Sequence, residues 1–379
     1  MFVSELSLTD FRSYESVKVR FQPGINVLVG TNGQGKTNLV EAIHYLATFA
    51  SHRVASDTPL VRQGAAQASV EAVVNEGIAA GEHARELRLA LDIIPGKANR
   101  ARLNGAPLSR TRELLGIVQT VVFAPEDLAL VKGDPSERRK FLDDTLTQLT
   151  PGFSVVRSDL DRILRQRNAL LKSGQGHHDV DFLRTLEVWD EQLARTGGEV
   201  LAERLRLVRQ LTAPIADAYL RVSADRGPLE ISYETSLDVG PDADVHLCQA
   251  ALLAALSASR KQEIDRGISL VGPHRDELQI NLRGLPLRGY ASHGESWSAA
   301  LALKLAVYSA LRETSRHGDP VLILDDVFAE LDEIRRGRLV AEVADCEQVI
   351  VTAAVRGDVP EQLDGTLFDV FEGTVNRVS

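Results

Sequence analysis

Hydrophobic and polar positions change their rhythm along this chain, and each rhythm predicts a different kind of element. Phe2-Val3-Ser4-Glu5-Leu6-Ser7-Leu8 alternates as a half-buried strand does. Asp10-Phe11-Arg12-Ser13-Tyr14 interrupts it, and Val17-Lys18-Val19-Arg20-Phe21 alternates again before Pro23-Gly24 turns the chain. Ile25-Asn26-Val27-Leu28-Val29 follows as a short, mostly apolar run, the pattern of a buried strand. Leu39, Val40, Ile43 and Leu46 then fall at helical spacing, so a helix is predicted from Thr37 onward. Short strands are predicted at residues 68–74, 85–93, 100–103 and 118–123, with Asn104-Gly105 as a hairpin turn.

The character changes after Gly133-Asp134-Pro135, where Asp134 or Ser136 can cap a helix. Leu160, Ile163, Leu164, Arg167 and Leu171 keep helical period, as do Leu186, Trp189, Leu193, Leu201, Leu205 and Val208. Ser173-Gly174-Gln175-Gly176-His177-His178 separates the two runs, predicting an αα-hairpin or partial coiled coil. No further ligand lies at useful spacing from His177 and His178, so they read as loop residues rather than a metal site. Strand character returns at 229–233 and 278–282, and helices are predicted at 250–265 and 292–311. Val321-Leu322-Ile323-Leu324 and Val349-Ile350-Val351-Thr352 read as neighbours in a parallel sheet. The expected organisation is an α/β head, residues 1–135 and 260–379, interrupted by a helical domain at 136–259.

Chemistry enters with Gly30-Thr31-Asn32-Gly33-Gln34-Gly35-Lys36-Thr37, which fits G-x-x-x-x-G-K-S/T between a strand and a helix. Glycines let such a loop turn its N–H groups onto phosphate oxygens, and the helix N-terminus adds partial positive charge. Lys36 can reach β- and γ-phosphates, and Thr37 can offer its hydroxyl to Mg²⁺. The apolar run 321–324 ends in Asp325-Asp326, at the carboxyl edge of a central strand where open α/β sheets bind ligands. Asp325 there suits Mg²⁺, and Asp326 suits the polarisation of a water. Ser292-His293-Gly294-Glu295 opens a helix and reads either as a second anion site or as an ordinary Ser-capped start.

Composition narrows the class. Of 379 residues, 44% are hydrophobic and 25% charged, typical of a soluble globular protein large enough for more than one core. The apolar runs are too short and interrupted to span a membrane, and Met1-Phe2-Val3-Ser4-Glu5 lacks a signal-peptide layout, so a cytoplasmic setting is expected. Cys248 and Cys346 stand far apart, which argues against a zinc or disulfide framework. A net charge of −10 argues against a passive nucleic-acid coat but leaves room for a local basic face. Arg138, Arg139, Lys140, Arg157, Arg162, Arg165, Arg167 and Lys172 form a candidate DNA stripe, although Asp143, Asp144, Asp159 and Asp161 among them equally suit an ion-paired solvated face.

The P-loop, the Asp325-Asp326 strand and the Ser292 helix, in this order, resemble an ABC-type ATPase head with an inserted helical segment, as in SMC-type repair ATPases. Ala329-Glu330-Leu331-Asp332 resembles the D-loop of such heads. Longer blocks resemble the RecF family of bacterial recombination mediators. They are Leu8-Thr9-Asp10-Phe11-Arg12-Ser13-Tyr14, Gly30 through Asn38, and Val122-Phe123-Ala124-Pro125-Glu126-Asp127-Leu128. Lys132-Gly133-Asp134-Pro135-Ser136-Glu137-Arg138-Arg139-Lys140-Phe141-Leu142-Asp143, Gly272-Pro273-His274-Arg275-Asp276-Glu277 and Leu324 through Asp332 complete the set. The resemblance implies an ATP-dependent homodimer and a weak, DNA-dependent ATPase whose hydrolysis releases the dimer. It implies binding to duplex or gapped DNA, with single-stranded DNA as a further option. RecR and RecO are the implied partners in recombinase loading, replication and the SOS response.

Carried onto this chain, the resemblance makes Lys36, Asp325 and Asp326 catalytic and Thr37 and Asp325 the Mg²⁺ ligands. Gly30, Thr31, Asn32, Gly33, Gln34, Gly35, Lys36, Thr37 and Asn38 would bind ATP, with Thr352 as a γ-phosphate sensor. Ser292, Gly294 and Glu295 of a second copy would close over it. The stretch Ser292-His293-Gly294-Glu295-Ser296-Trp297 departs from the family's usual Gln-Gln-Arg after the glycine. His274-Arg275-Asp276 is expected beside the nucleotide or the dimer interface, with a structural turn as the alternative. Other readings are a scaffold that binds ATP without hydrolysis and a transport ATPase subunit. The latter calls for a glutamate after Asp325 and a switch histidine, where this chain has Asp326 and Thr352.

Overall fold

The computed structural model describes residues 1–76, 85–174, 179–223, 227–315 and 317–378; His177 and His178 lie outside them. Strands β1 (Phe2–Phe11), β2 (Tyr14–Arg20) and β3 (Gly24–Val29) lead into helix α1 (Lys36–Thr48). Strands β4 (Ala68–Glu76), β5 (Arg85–Ile93), β6 (Arg100–Leu103), β7 (Ala106–Pro107) and β8 (Thr120–Phe123) follow. Helices α2 (Leu128–Lys132), α3 (Pro135–Leu149), α4 (Phe153–Ser173) and α5 (Val180–Val222) come next, then β9 (Leu229–Glu234) and α6 (Val245–Arg266). Strands β10 (Glu277–Leu282) and β11 (Leu285–Pro286) and an irregular turn, α7 (Leu287–Tyr290), precede α8 (His293–Thr314). Then come β12 (Val321–Asp325), α9 (Glu333–Val343), β13 (Gln348–Ala353), β14 (Thr366–Phe371) and β15 (Thr374–Arg377).

Met1–Val131, Asp217–Pro228 and Ala291–Ser379 form one compact unit. It contains an antiparallel sheet in the order β2-β1-β4-β5-β6-β7 and a second sheet in the order β15-β14-β3-β13-β12-β8. In the second sheet β14 through β8 run parallel and only the edge strand β15 is antiparallel. Every residue of β12 and β13 is buried, which is why both read as unbroken β-branched and aliphatic runs rather than alternating ones. One core joins the two sheets through α1. Leu6, Val70 and Leu89 meet Leu39, Ile43 and Leu46 of α1, and these meet Ile323 and Ile350. Helix α8 packs on β8, with Trp297 edge-to-face on Phe123 at 5.5 Å. Asn104 and Gly105 both take positive φ, as a two-residue hairpin turn requires.

Lys132–Ala216 and Leu229–Tyr290 form the other unit. The expected boundary at 259/260 falls inside α6, and residues 277–286 group here because β10 pairs with β9 in an antiparallel sheet of order β11-β10-β9. Helices α4 and α5 do not pack as an isolated hairpin. Leu171, Leu186 and Ile264 cluster, so α6 is a third member of the bundle. Asp134 takes the N-cap position of α3 without a side-chain capping bond, and Pro135 takes the first turn. Among the described residues, no helix is long and apolar enough to cross a membrane.

Candidate nucleotide site

Strand β3 stops at Val29 and α1 begins at Lys36, so the glycine-rich loop spans the carboxyl edge of the parallel sheet. Gly35 is the N-cap of α1 at φ 105°, a backbone conformation that a side chain would strain, and no side chain caps the helix. The first-turn N–H groups of a helix have no partner within it, and here they open onto the loop. A Cβ on Gly35 would also lie 2.6 Å from the Tyr14 hydroxyl, so the ring fixes how low the loop sits. Lys36 bends back over the loop and donates to the carbonyls of Gly30 (2.5 Å) and Thr31 (3.2 Å). Burial pulls its pKa down, and Asp326 and Asp325 offset only part of that. Thr31, Asn32 and Gly33 are exposed at the loop tip. Gln34 accepts from the Glu372 N–H at 2.6 Å, and Asn38 donates to Ser13 at 2.9 Å.

Register places Asp325 directly opposite Thr352 on the neighbouring strand. Asp325 Oδ1 accepts from Thr37 Oγ1 at 3.1 Å and from Thr352 Oγ1 at 2.5 Å, which ties the P-loop to the acidic strand end. Thr352 also accepts the Asp326 N–H at 2.9 Å. Its hydroxyl therefore braces both aspartates. Asp326 sits at φ 54°, a left-handed conformation Asp tolerates better than most residues, and its buried Oδ1 has no hydrogen-bond partner among the described residues. Burial raises the pKa of Asp325, with Thr352, His52 and Thr37 opposing; burial also raises that of Asp326, with Lys36 opposing.

The helix-opening stretch Ser292-His293-Gly294-Glu295 forms a capping box. Ser292 Oγ accepts the Glu295 N–H (3.2 Å), and Glu295 accepts the Ser292 N–H (2.7 Å). Arg335 of α9 lies against Gly294, where a Cβ would meet its guanidinium at 2.8 Å, and it donates to Ser298 at 3.0 Å. His293 Nε2 accepts from Trp297 at 2.9 Å and lies 3.7 Å from Glu330. The signature stretch and the D-loop residues thus form one surface of this unit.

Sequence reasoning left three contributors without a role. Glu41, fully buried on α1, is held by Arg12 (2.8 and 2.5 Å) and Ser51 (2.5 Å); burial favours its neutral form, but these donors win and keep its pKa low. That clamp anchors the Phe11-Arg12-Ser13-Tyr14 turn beneath the loop. Both ring nitrogens of His52 are buried without hydrogen-bond partners among the described residues, and burial lowers its pKa while Asp325 and Glu41 pull it up. Tyr14, 1% exposed, has a buried hydroxyl without a hydrogen-bond partner among the described residues, and burial pushes its pKa up. Tyr14→Phe removes an unsatisfied polar atom and is expected to stabilise the nucleotide-free protein by about 1 kcal/mol. Thermal melting tests this; an unchanged or lower Tm would mean that the hydroxyl is bonded in solution.

In the helical unit, most of the candidate DNA stripe is ion-paired. Arg167, at 0% exposure, donates to Asp190 (2.8 Å), Ser269 (2.7 Å) and Glu263 (2.6 Å), and so holds α4, α5 and α6 together. Arg138 is bidentate with Glu277, Arg157 pairs with Asp143 and Asp161, Arg162 with Asp159, and Lys140 with Asp144. Arg165 and Lys172 stay exposed. Of His274-Arg275-Asp276, Asp276 is buried, His274 half-buried and Arg275 exposed; His274 Nε2 lies 3.4 Å from the Ser269 carbonyl, and burial drops its pKa to about 4.

A phosphate-cradling loop on a parallel sheet, an acidic strand end bonded to it and a capped signature helix beside a D-loop define an SMC-type ATPase head. The family described as "RecF/RecN/SMC N terminal domain" matches residues 2–373. The chain is 54% identical over 387 residues to the DNA replication and repair protein RecF of Streptomyces avermitilis and 52% identical over 402 residues to that of Beutenbergia cavernae. Both alignments cover 100% of each chain. A solved structure of the recombination mediator protein RecF with ATP, from the RecFOR pathway, is similar at a TM-score of 0.89 and 29% identity over 100% of this chain and 98% of that one. An SMC head bound to the C-winged helix domain of ScpA shares the fold at a TM-score of 0.56 and 17% identity over 100% of this chain and 97% of that one. The chain belongs to the RecF family of DNA replication and repair proteins.

Proposed function

We propose that this protein is an ATP-dependent DNA-binding protein of recombinational repair, in which two copies join when ATP binds. The observation that carries the reading is the hydrogen-bond chain from Thr37 through Asp325 to Thr352 and Asp326, which makes the P-loop and the acidic strand one unit. Bound ATP with Mg²⁺ would supply the negative charge and the scissile anhydride. Lys36 would exchange the Gly30 and Thr31 carbonyls for phosphate oxygens. Thr37 and Asp325, hydrogen-bonded at 3.1 Å, would hold Mg²⁺ together with phosphate oxygens. Asp326 would serve as the base that polarises the attacking water. Ser292, Gly294 and Glu295 of a second copy would face the loop, the helix N-terminus favouring an anion.

On this reading the protein is a weak, DNA-stimulated ATPase that holds duplex or gapped DNA and works with RecR and RecO in loading recombinase at single-strand gaps. Replication and the SOS response are its setting, in the cytoplasm. The scaffold alternative draws on the capping box, which already occupies Ser292 and Glu295. Phosphate release with and without gapped DNA separates the two.

Lys36→Ala is the direct test. Removing a buried charged donor should weaken ATP binding about 100-fold and abolish the ATP-dependent increase in duplex affinity seen by fluorescence anisotropy. Full ATP-dependent DNA binding by this variant would end the proposal.

A further inference from the structure

Two of the sequence blocks quoted above take no part in the nucleotide site, and they meet in the helical unit. The segment Ser136–Asp144 on α3 and His274 border a cavity of about 480 Å³ that opens to solvent. Its wall carries Arg139, Lys140, Arg157 and Arg204, together with the carboxylates of Asp143, Asp144 and Asp161. Ion pairs use all three carboxylates. Asp143 takes Arg204 through both oxygens at 2.8 Å and Arg157 at 2.5 Å, Asp144 takes Lys140 at 2.6 Å, and Asp161 takes Arg157.

Arg139 is left over from this pairing, and among the described residues it forms no ion pair. It donates to a main-chain carbonyl, that of Asp276, at 2.8 Å. The Asp276 carboxylate instead accepts from Tyr233 at 3.0 Å, and Glu277 is held by both arms of Arg138. Partial burial and the nearby Arg204 charge lower the pKa of the Arg139 guanidinium, with Glu277, Tyr233 and Asp276 offsetting part of this. An anion at Arg139 in this half-dry wall would offset both its desolvation and its repulsion from Arg204. The planar fork of Arg139 suits a tetrahedral oxyanion, and the Ser136 hydroxyl stands on the same wall.

We infer that this cavity is a second phosphate-binding site, independent of the P-loop, in which Arg139 takes one phosphate group. The phosphate is either a free anion or part of a DNA backbone, and the experiment distinguishes the two.

Calorimetric titration with pyrophosphate is run on the full chain as parent, Lys36→Ala, Arg139→Gln and the double variant. The P-loop is itself a phosphate cradle, so the parent should show two sites, each single variant one, and the double variant none. Arg139→Gln should weaken the second site about 30-fold. Arg139→Lys keeps the charge without the fork and should lose only several-fold, which separates charge from misfolding. Duplex DNA binding is then followed against salt. If the phosphate is DNA's, Arg139→Gln lowers the slope of log affinity against log salt by about 0.9. If pyrophosphate binding falls while the duplex slope stays, the phosphate is a free anion. If Arg139→Gln changes neither, the inference is overturned. A failed P-loop reading would look different, since the parent would then show one site and Lys36→Ala would keep it.

Discussion

Asp326→Asn should slow ATP turnover by about two to three orders of magnitude while the ATP-bound dimer forms as before or lasts longer. Asn is nearly isosteric, tolerates the left-handed backbone at φ 54°, and keeps the N–H that donates to Thr352. Asp325, the carboxylate bonded to Thr37, is untouched. What disappears is the carboxylate of Asp326, with its raised pKa and hence its basicity. Steady-state phosphate release and sedimentation with ATP read the two effects separately. Turnover within twofold of the parent would remove Asp326 as the base. Loss of ATP binding would make it a nucleotide-holding residue instead.

The largest stability effect is expected from Arg204→Met, at about 3–5 kcal/mol. Arg204 is 2% exposed and donates to both oxygens of Asp143, to the Pro273 carbonyl at 2.6 Å and to the Tyr233 hydroxyl at 3.2 Å. Burial opposes its charge, but Tyr233 and Asp143 outweigh that and hold its pKa above the ordinary value. Met fills the volume but leaves the Pro273 carbonyl unpaired and Asp143 with Arg157 alone. Arg204→Lys should rescue little, because one ammonium cannot reproduce the fork. Denaturant unfolding read through hydrogen exchange on α3 and α5 isolates the helical unit. A loss below about 1 kcal/mol would show that the network is worth no more than a surface pair.

The nucleotide site was legible because its parts are local patterns. A buried run, a glycine loop and a helical period lie within thirty residues of one another, and Asp325 is placed by the strand it ends. The helical unit was less legible because its pairings are remote. Arg167 reaches Asp190 and Glu263, and β9 finds β10 across an intervening helix. One signal was available. Arg167 shares the helical stripe of Leu160, Ile163, Leu164 and Leu171, and an arginine on an apolar stripe is more readily a buried clamp than a DNA contact. Nothing local marks Tyr14 as the floor under Gly35 or His52 as a neighbour of Asp325, since both depend on how separate segments approach.

The order of strands in the parallel sheet also bears on how the chain is made. Strand β3, which carries the P-loop, pairs on one side with β13 and on the other with β14. Both come from the far end of the sequence, and Thr37 meets an aspartate 288 positions away. A ribosome therefore delivers β3 with two open edges and keeps it so until nearly the whole chain has emerged. Such edges invite pairing with other chains, and contacts of this span are slow to form. Capacity to bind nucleotide is then a late event that reports a finished molecule, and prematurely terminated chains should aggregate rather than compete for ATP.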